Sequence, residues 1–216
     1  MYSREICSTP GIQIMRIALT LLVAVLLAAV PVRAADDDAT RLAALFADAW
    51  EFSLAEDPLL ATSVGDNRAN DRLPSVTVAD LERRDAFARK LLERLATIDR
   101  SKLSDTDRVS YDVFRWQTEI GIEDFRRGAW RCTLTGDWGF HMAFAQLPNE
   151  VPLATTRDYE NYIARLRDYP RYNREQIALL AEGLRAGFTL PRLVLDGYDK
   201  TISGHIVADT EKSVFY

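Results

Sequence analysis

Few side chains in this sequence belong to the types that carry out chemistry. There are two histidines, His141 and His205, and Cys132 is the one cysteine beyond Cys7. A zinc site normally takes three or four ligands from His, Cys and carboxylates. Neither histidine has a Glu or His at helical ligand spacing, and H-E-x-x-H, Glu-x-x-His pairs and C-x-x-C are all absent. His205 and Asp209 stand at i, i+4 and could share a metal; the plain alternative is a solvated pair near a helix end. Cys132 and His141 are the types of a thiolate–imidazole pair, though their spacing fixes no geometry. There is no G-x-S-x-G and no phosphate loop. Tyr159, Tyr162 and Tyr169 could stack on a ligand or simply pack in a core. His141 is the residue to follow. It sits between Phe140 and Met142, close to Trp138. If this stretch lines a pocket, Trp138 and His141 are its substrate-lining residues; otherwise His141 is a satisfied structural histidine. No catalytic residue and no metal ligand is assigned.

These two residues lie in Gly136–Thr156, GDWGFHMAFAQLPNEVPLATT, where the helical period of the flanking sequence stops. Two glycines, two prolines and an aromatic cluster (Trp138, Phe140, Phe144) fall within it. Long aperiodic connections in compact domains are often functional or disordered, and this one is too aromatic for disorder. The expectation is a long packed loop over 136–156 that closes over or lines something.

Around it the sequence reads as helix. Asp38 or Thr40 can cap a first helix bearing Leu42, Leu45, Phe46, Ala49 and Phe52 on one face. Asp57-Pro58 opens a short turn ending at Gly65. Thr77 with Asp80, and Ser104 with Asp107, are capping-box-like starts. The helix after Ser104 carries Val109, Val113, Trp116 and Ile120, with Tyr111, Phe114 and Phe125 on a second side. Its two apolar sides predict the most central position, and it ends near Gly128. Thr155 or Thr156 caps a helix with Tyr159, Tyr162, Ile163, Leu166 and Tyr169, which Pro170 breaks or kinks. A further helix with Ile177, Leu180, Ala181 and Leu184 stops at Gly187. Leu190-Pro191 opens a last helix reaching toward Ile206. No segment alternates like a strand. The fold class is all-α, an irregular multi-helix array, with no sheet beyond a stray pairing at the 136–156 stretch.

The N-terminus reads as a targeting segment. Met15 and Arg16 precede an apolar run that ends at Val32-Arg33-Ala34, a small-residue cut site. Residues 1–34 are thus an N-terminal extension and signal peptide, with Met1 or Met15 as start; an uncleaved anchor is the alternative. Residues 35–216 form a single helical domain, periplasmic or secreted, with no membrane contact after cleavage. Residues 1–34 hold three of the 27 basic and one of the 32 acidic side chains, so the remainder carries a net charge of −7. That balance speaks against nucleic acid as partner. One cysteine in an exported chain makes no internal disulfide, and burial is the usual fate of such a thiol. Oligomeric state is left open.

The blocks EDPLLATSVGDNRANDRL, LSDTDRVSYDVFRWQTE and GFHMAFAQLPNEVPLATTRDYENYIARLRDYPRYNREQIALLAEGLRAGFTLPR stand in an order that resembles the bacterial domain of unknown function 885 family, over roughly Trp50 to Tyr198. The resemblance implies an exported, largely helical protein akin to zinc carboxypeptidases. Such members carry an H-E-x-x-x-H-type zinc motif in a second half that nothing here matches. It therefore implies no cofactor in this chain, zinc only in full-length members, and a peptide substrate only for the full-length protein. Two readings follow. In one, the chain is the N-terminal helical portion of such a protein, inactive alone, with the H-E motif encoded just downstream. In the other, it is a self-sufficient periplasmic helical module binding a small ligand or a protein.

Overall fold

Helix starts in this chain are set by side chains that satisfy the free amides of a first turn. In the computed structural model, which describes residues 35–136 and 138–216, the capping signals at Asp57, Thr77, Ser104 and Thr155 each mark a real start. The compact unit spans Asp38–Tyr216. Helix α1 covers Ala35–Glu56. Asp57 then caps α2, Pro58–Ser63, accepting from the amides of Leu59 and Leu60. Thr77 and Asp80 form a reciprocal capping box on α3, Val78–Ala96. Ser104 caps α4, Asp105–Arg127, which ends at Gly128 in the left-handed conformation (φ 81°) that glycine adopts without penalty. After two short helices, α5 (Phe140–Ala145) and α6 (Leu147–Glu150), Thr155 and Asp158 build a second capping box on α7, Thr156–Arg185. Two more short helices follow, α8 (Arg192–Leu195) and α9 (Asp199–Ser203). The described residues are all-α; the one β-type pairing is an isolated antiparallel bridge, Leu134 to Gly139.

Two apolar cores hold these helices. The first joins α1, α3 and the start of α4 through Leu42, Leu45, Leu91, Leu95, Ile98, Leu103 and Tyr111, all buried. Each fully buried Leu or Ile contributes about 1.5–3 kcal/mol. Phe52 stacks on Phe87 at a centroid distance of 3.7 Å, tying α1 to α3. The second core gathers Leu73, Phe144, Leu147 and Tyr162, with Leu59, Leu166 and Phe215 packed around them. It binds α5 and α6 to the first half of α7. The strip between α2 and α3 is fastened to α7 by polar groups. Arg171 donates to the carboxylates of Asp168 (2.6 Å) and Glu175 (2.8 Å) and to the carbonyls of Leu73 and Pro74. The Glu175 carboxylate in turn accepts from the Val76 amide at 3.0 Å.

Several sequence expectations change here. Residues 136–156 are not one loop: α5 and α6 lie inside them. Phe140, His141, Phe144 and Ala145 are buried at helical spacing, but over too few residues for a period to register. Pro148 fits the first turn of α6, where a missing amide is tolerated. Pro170 does not break the chain; α7 runs through it for 30 residues. Proline removes one helical hydrogen bond, and Arg171 clamps the turn beside it to the 73–76 strip. Helix α4 is not the most buried element. Val109, Val113, Trp116 and Ile120 are 63, 46, 62 and 40 % exposed, and Tyr111 is its buried residue. In the second half of α7 the buried side is Gln176, Leu179 and Gly183, while Ile177 and Leu184 are exposed. The expected last helix is split at Gly197 (φ 73°) into α8 and α9. Asp38 does not cap α1 but lies within its first turns, buried, paired with Arg41 at 3.0 Å. The apolar run before Ala34 and its cut site lie outside the described residues. Among the described residues, no helix is long and apolar enough to cross a membrane.

Candidate functional site

Gly139 opens the site by what it lacks. A Cβ at this position would run into the Tyr198 hydroxyl, His141 Cε1 and Leu134 Cδ2, the last two at 2.8 and 2.9 Å. Only a bare backbone lets the start of α5 approach Tyr198 this closely. The Tyr198 hydroxyl then donates to the Trp138 carbonyl at 2.9 Å. One turn on, the Thr201 hydroxyl donates to the Tyr198 carbonyl at 2.6 Å. That uses the only proton of Thr201. Its contact with His141 Nε2, at 2.9 Å, is therefore one in which the imidazole Nε2–H donates and the hydroxyl accepts. In the neutral ring this leaves Nδ1 as the acceptor. The imidazole is buried and packs edge-on against Tyr198 at 5.5 Å and Phe140 at 5.7 Å.

This ring forms part of the wall of a cavity of about 350 Å³. Phe140, the Tyr169 ring, Phe215, Leu180 and Ile177 supply apolar walls, and Asn173, His205 and Tyr169 are the other lining residues with polar side-chain groups. Such a volume sits at the lower end of small-molecule sites, which are largely apolar with a few placed polar groups. The lining residues come from the segment before α5, from α5 and α7, from α9 with the turn after it, and from the C-terminal residues. Tyr169 stacks on Phe144 at 3.9 Å behind the wall.

Burial holds the His141 imidazole below its ordinary pKa of 6.5, and the nearby His205 adds to the effect. A folded-state pKa below the unfolded one means that the unfolded chain binds more protons between the two values. Stability is then fully present above about pH 6.5 and declines as pH falls toward the folded pKa. A nuclear magnetic resonance titration of the His141 Cε1 proton should give a midpoint below 6.5. A midpoint above that value would contradict the buried, neutral ring.

The residues expected from sequence are distributed unevenly. His141 lines the cavity. Trp138 is 52 % exposed, stands outside the cavity wall, and contributes its backbone carbonyl. His205 joins His141 at the cavity; the 63 intervening residues carry no periodic signal that would have linked them. Asp209 caps the short 3₁₀ turn Thr210–Lys212, accepting from the Glu211 amide at 3.2 Å. The Cys132 thiol is half-buried and donates to the Leu134 carbonyl at 3.1 Å, while His141 Nε2 is bonded to Thr201. Tyr162 spends its hydroxyl on the Phe215 carbonyl at 3.0 Å, and Tyr159 is exposed. Among the described residues, no group of three or more His, Cys, Asp or Glu is arranged to hold a metal ion.

Residues 58–216 match the family described as bacterial protein of unknown function (DUF885). No curated protein and no solved structure matches the chain.

Proposed function

The chain belongs to the DUF885 family of bacterial proteins of unknown function, and from that premise we propose that it is the helical, substrate-facing portion of an exported, zinc-peptidase-like protein and does not hydrolyse peptides alone. The observation that carries this reading is the uncovered face of α1 and α4. Trp50, Val109 and Val113 border one shallow apolar groove, and Trp116 and Ile120 continue the stripe along α4 at i+7 and i+11 from Val109. Large apolar side chains left in a contiguous row mark a face that packs against more protein. Export is supported by the apolar run and small-residue cut site before Ala35, and the zinc-peptidase-like character is what the sequence resemblance implies.

The test is hydrolysis of short peptides by the purified chain, with and without added zinc, alongside metal analysis. No hydrolysis and no stoichiometric zinc are expected. One zinc per chain, removed by a chelator together with hydrolysis, would overturn the proposal. Export is tested separately, by N-terminal sequencing of protein recovered from the periplasm of a Gram-negative host. A start at Ala35 or Asp36 is expected, and a retained Met1 or Met15 would refute cleavage.

The cavity at His141 favours a second reading, a self-sufficient periplasmic module that binds a small ligand. A walled volume of about 350 Å³ is a feature that an inert packing piece does not need. Saturable binding of a small molecule by this chain, without any added partner, separates the second reading from the first.

A further inference from the structure

We infer that the cavity between α5 and α7 is a site for an uncharged aromatic ring bearing one hydrogen-bond donor, the chemistry of a phenol, with the His141 Nδ1 lone pair as its acceptor. The inference rests on the second reading above, that the cavity is a binding site. Three observations select this chemistry. The wall is aromatic and aliphatic, built from Phe140, Tyr169, Phe215 and Leu180, which suits a flat apolar group. None of the residues lining it is a Lys, Arg, Asp or Glu, so a charged ligand would be desolvated without a counter-ion. The lining residues with polar side-chain groups are the two histidines, Asn173 and Tyr169, and the state of His141 is fixed by its neighbours. Its Nε2–H is committed to Thr201 Oγ1, whose own proton goes to the Tyr198 carbonyl. Nδ1 is left to accept, and no donor among the described residues meets it. A ligand bearing an O–H or N–H on an aromatic ring satisfies that lone pair; a plain hydrocarbon of the same shape leaves it bare.

A phenol reaches such a site either as a free small molecule or as a tyrosine side chain on a peptide. The probes are p-cresol, toluene and N-acetyltyrosinamide, titrated into the purified chain and followed by saturation-transfer nuclear magnetic resonance. p-Cresol is expected to bind about tenfold more tightly than toluene, the effect of one hydrogen bond. Leu180→Trp, which fills the cavity from α7, should abolish binding of both. His141→Phe, with its fold checked by circular dichroism, should bring p-cresol down to the level of toluene. N-acetyltyrosinamide binding as tightly as p-cresol supports the phenol site and assigns the peptide source. Its failure beside bound p-cresol supports the phenol site and assigns the free molecule. Equal binding of toluene and p-cresol, lost in Leu180→Trp, would overturn the donor assignment and leave the binding cavity standing. No binding of any probe, or binding that survives Leu180→Trp, would overturn both.

Discussion

Replacing Arg165 with Ala is expected to cost about 3–5 kcal/mol of stability, the range in which buried networks fail. Arg165 is a charged residue with no exposed surface at all. Its guanidinium meets no carboxylate. Instead Nε donates to the Arg72 carbonyl at 2.9 Å, and Nη2 donates to the carbonyls of Pro58 (2.9 Å) and Ala69 (3.2 Å) and to Thr62 Oγ1 (2.6 Å). One side chain on α7 thus closes the chain from the start of α2 to the end of the following 3₁₀ turn. Burial pushes its pKa down to about 10, opposed by the fields of Asp71 and Asp57, so it stays charged at neutral pH. Truncation opens a cavity and removes all of these bonds. The Arg72 carbonyl loses its donor, at a cost of about 1–3 kcal/mol for a buried acceptor left unpaired, while the Pro58 and Ala69 carbonyls keep the Thr62 hydroxyl and the Arg72 amide. Arg165→Lys keeps the charge but not the planar fork that reaches three acceptors from one end, so it should recover less than half of the loss. Arg165→Met fills the volume without any donor and should fall between Lys and Ala. Urea unfolding of the four proteins orders them. A loss below about 1 kcal/mol for Arg165→Ala would show that the 58–72 segment is held by other contacts.

Arg165 also marks the limit of what the sequence reveals. It follows Ala164 in a helix whose sequence reads as one tyrosine-rich face, and nothing local distinguishes it from the exposed Arg157 or Arg174. Helix starts were legible because capping is local: Asp57, Thr77, Ser104 and Thr155 each satisfy amides two or three residues ahead. The continuity of α7 through Pro170 was not, because it rests on arginines whose acceptors lie some 90 to 100 residues earlier. Helix α4 shows the same division. Periodicity located its two apolar sides, but a period cannot say which side a neighbour covers. The structure covers Tyr111 and Phe114 and leaves Val109, Val113, Trp116 and Ile120 outside. At the site, residue type singled out His141. His205 became a partner only through the turn after α9, and the tautomer of His141 only through Thr201 and Tyr198, a relay that no motif encodes.

The second large effect is expected at Phe144. This side chain is 4 % exposed, stacks on Tyr169 at 3.9 Å with 17° between the rings, and touches Phe215 at 5.4 Å. It therefore stands at the junction of three things: the second core, α7 and the back of the cavity. Phe144→Ala should cost about 3–5 kcal/mol, the sum of lost transfer energy and the void left behind. The loss should also have a local signature. Tyr169 and Phe215 both line the cavity, and without Phe144 each loses the ring that fixes its plane. The C-terminal residues should then lose protection together with the cavity wall, because the Tyr162 hydroxyl bond to the Phe215 carbonyl (3.0 Å) depends on the same packing. Phe144→Leu keeps most of the volume and should cost under about half as much. Amide hydrogen exchange resolves the two effects. Phe144→Ala is expected to speed exchange around α5, the middle of α7 and the last residues, while α1 and α3, whose core is separate, exchange as before. Uniform acceleration across both cores would mean that the two clusters unfold as one unit and that Phe144 has no special hold on the cavity.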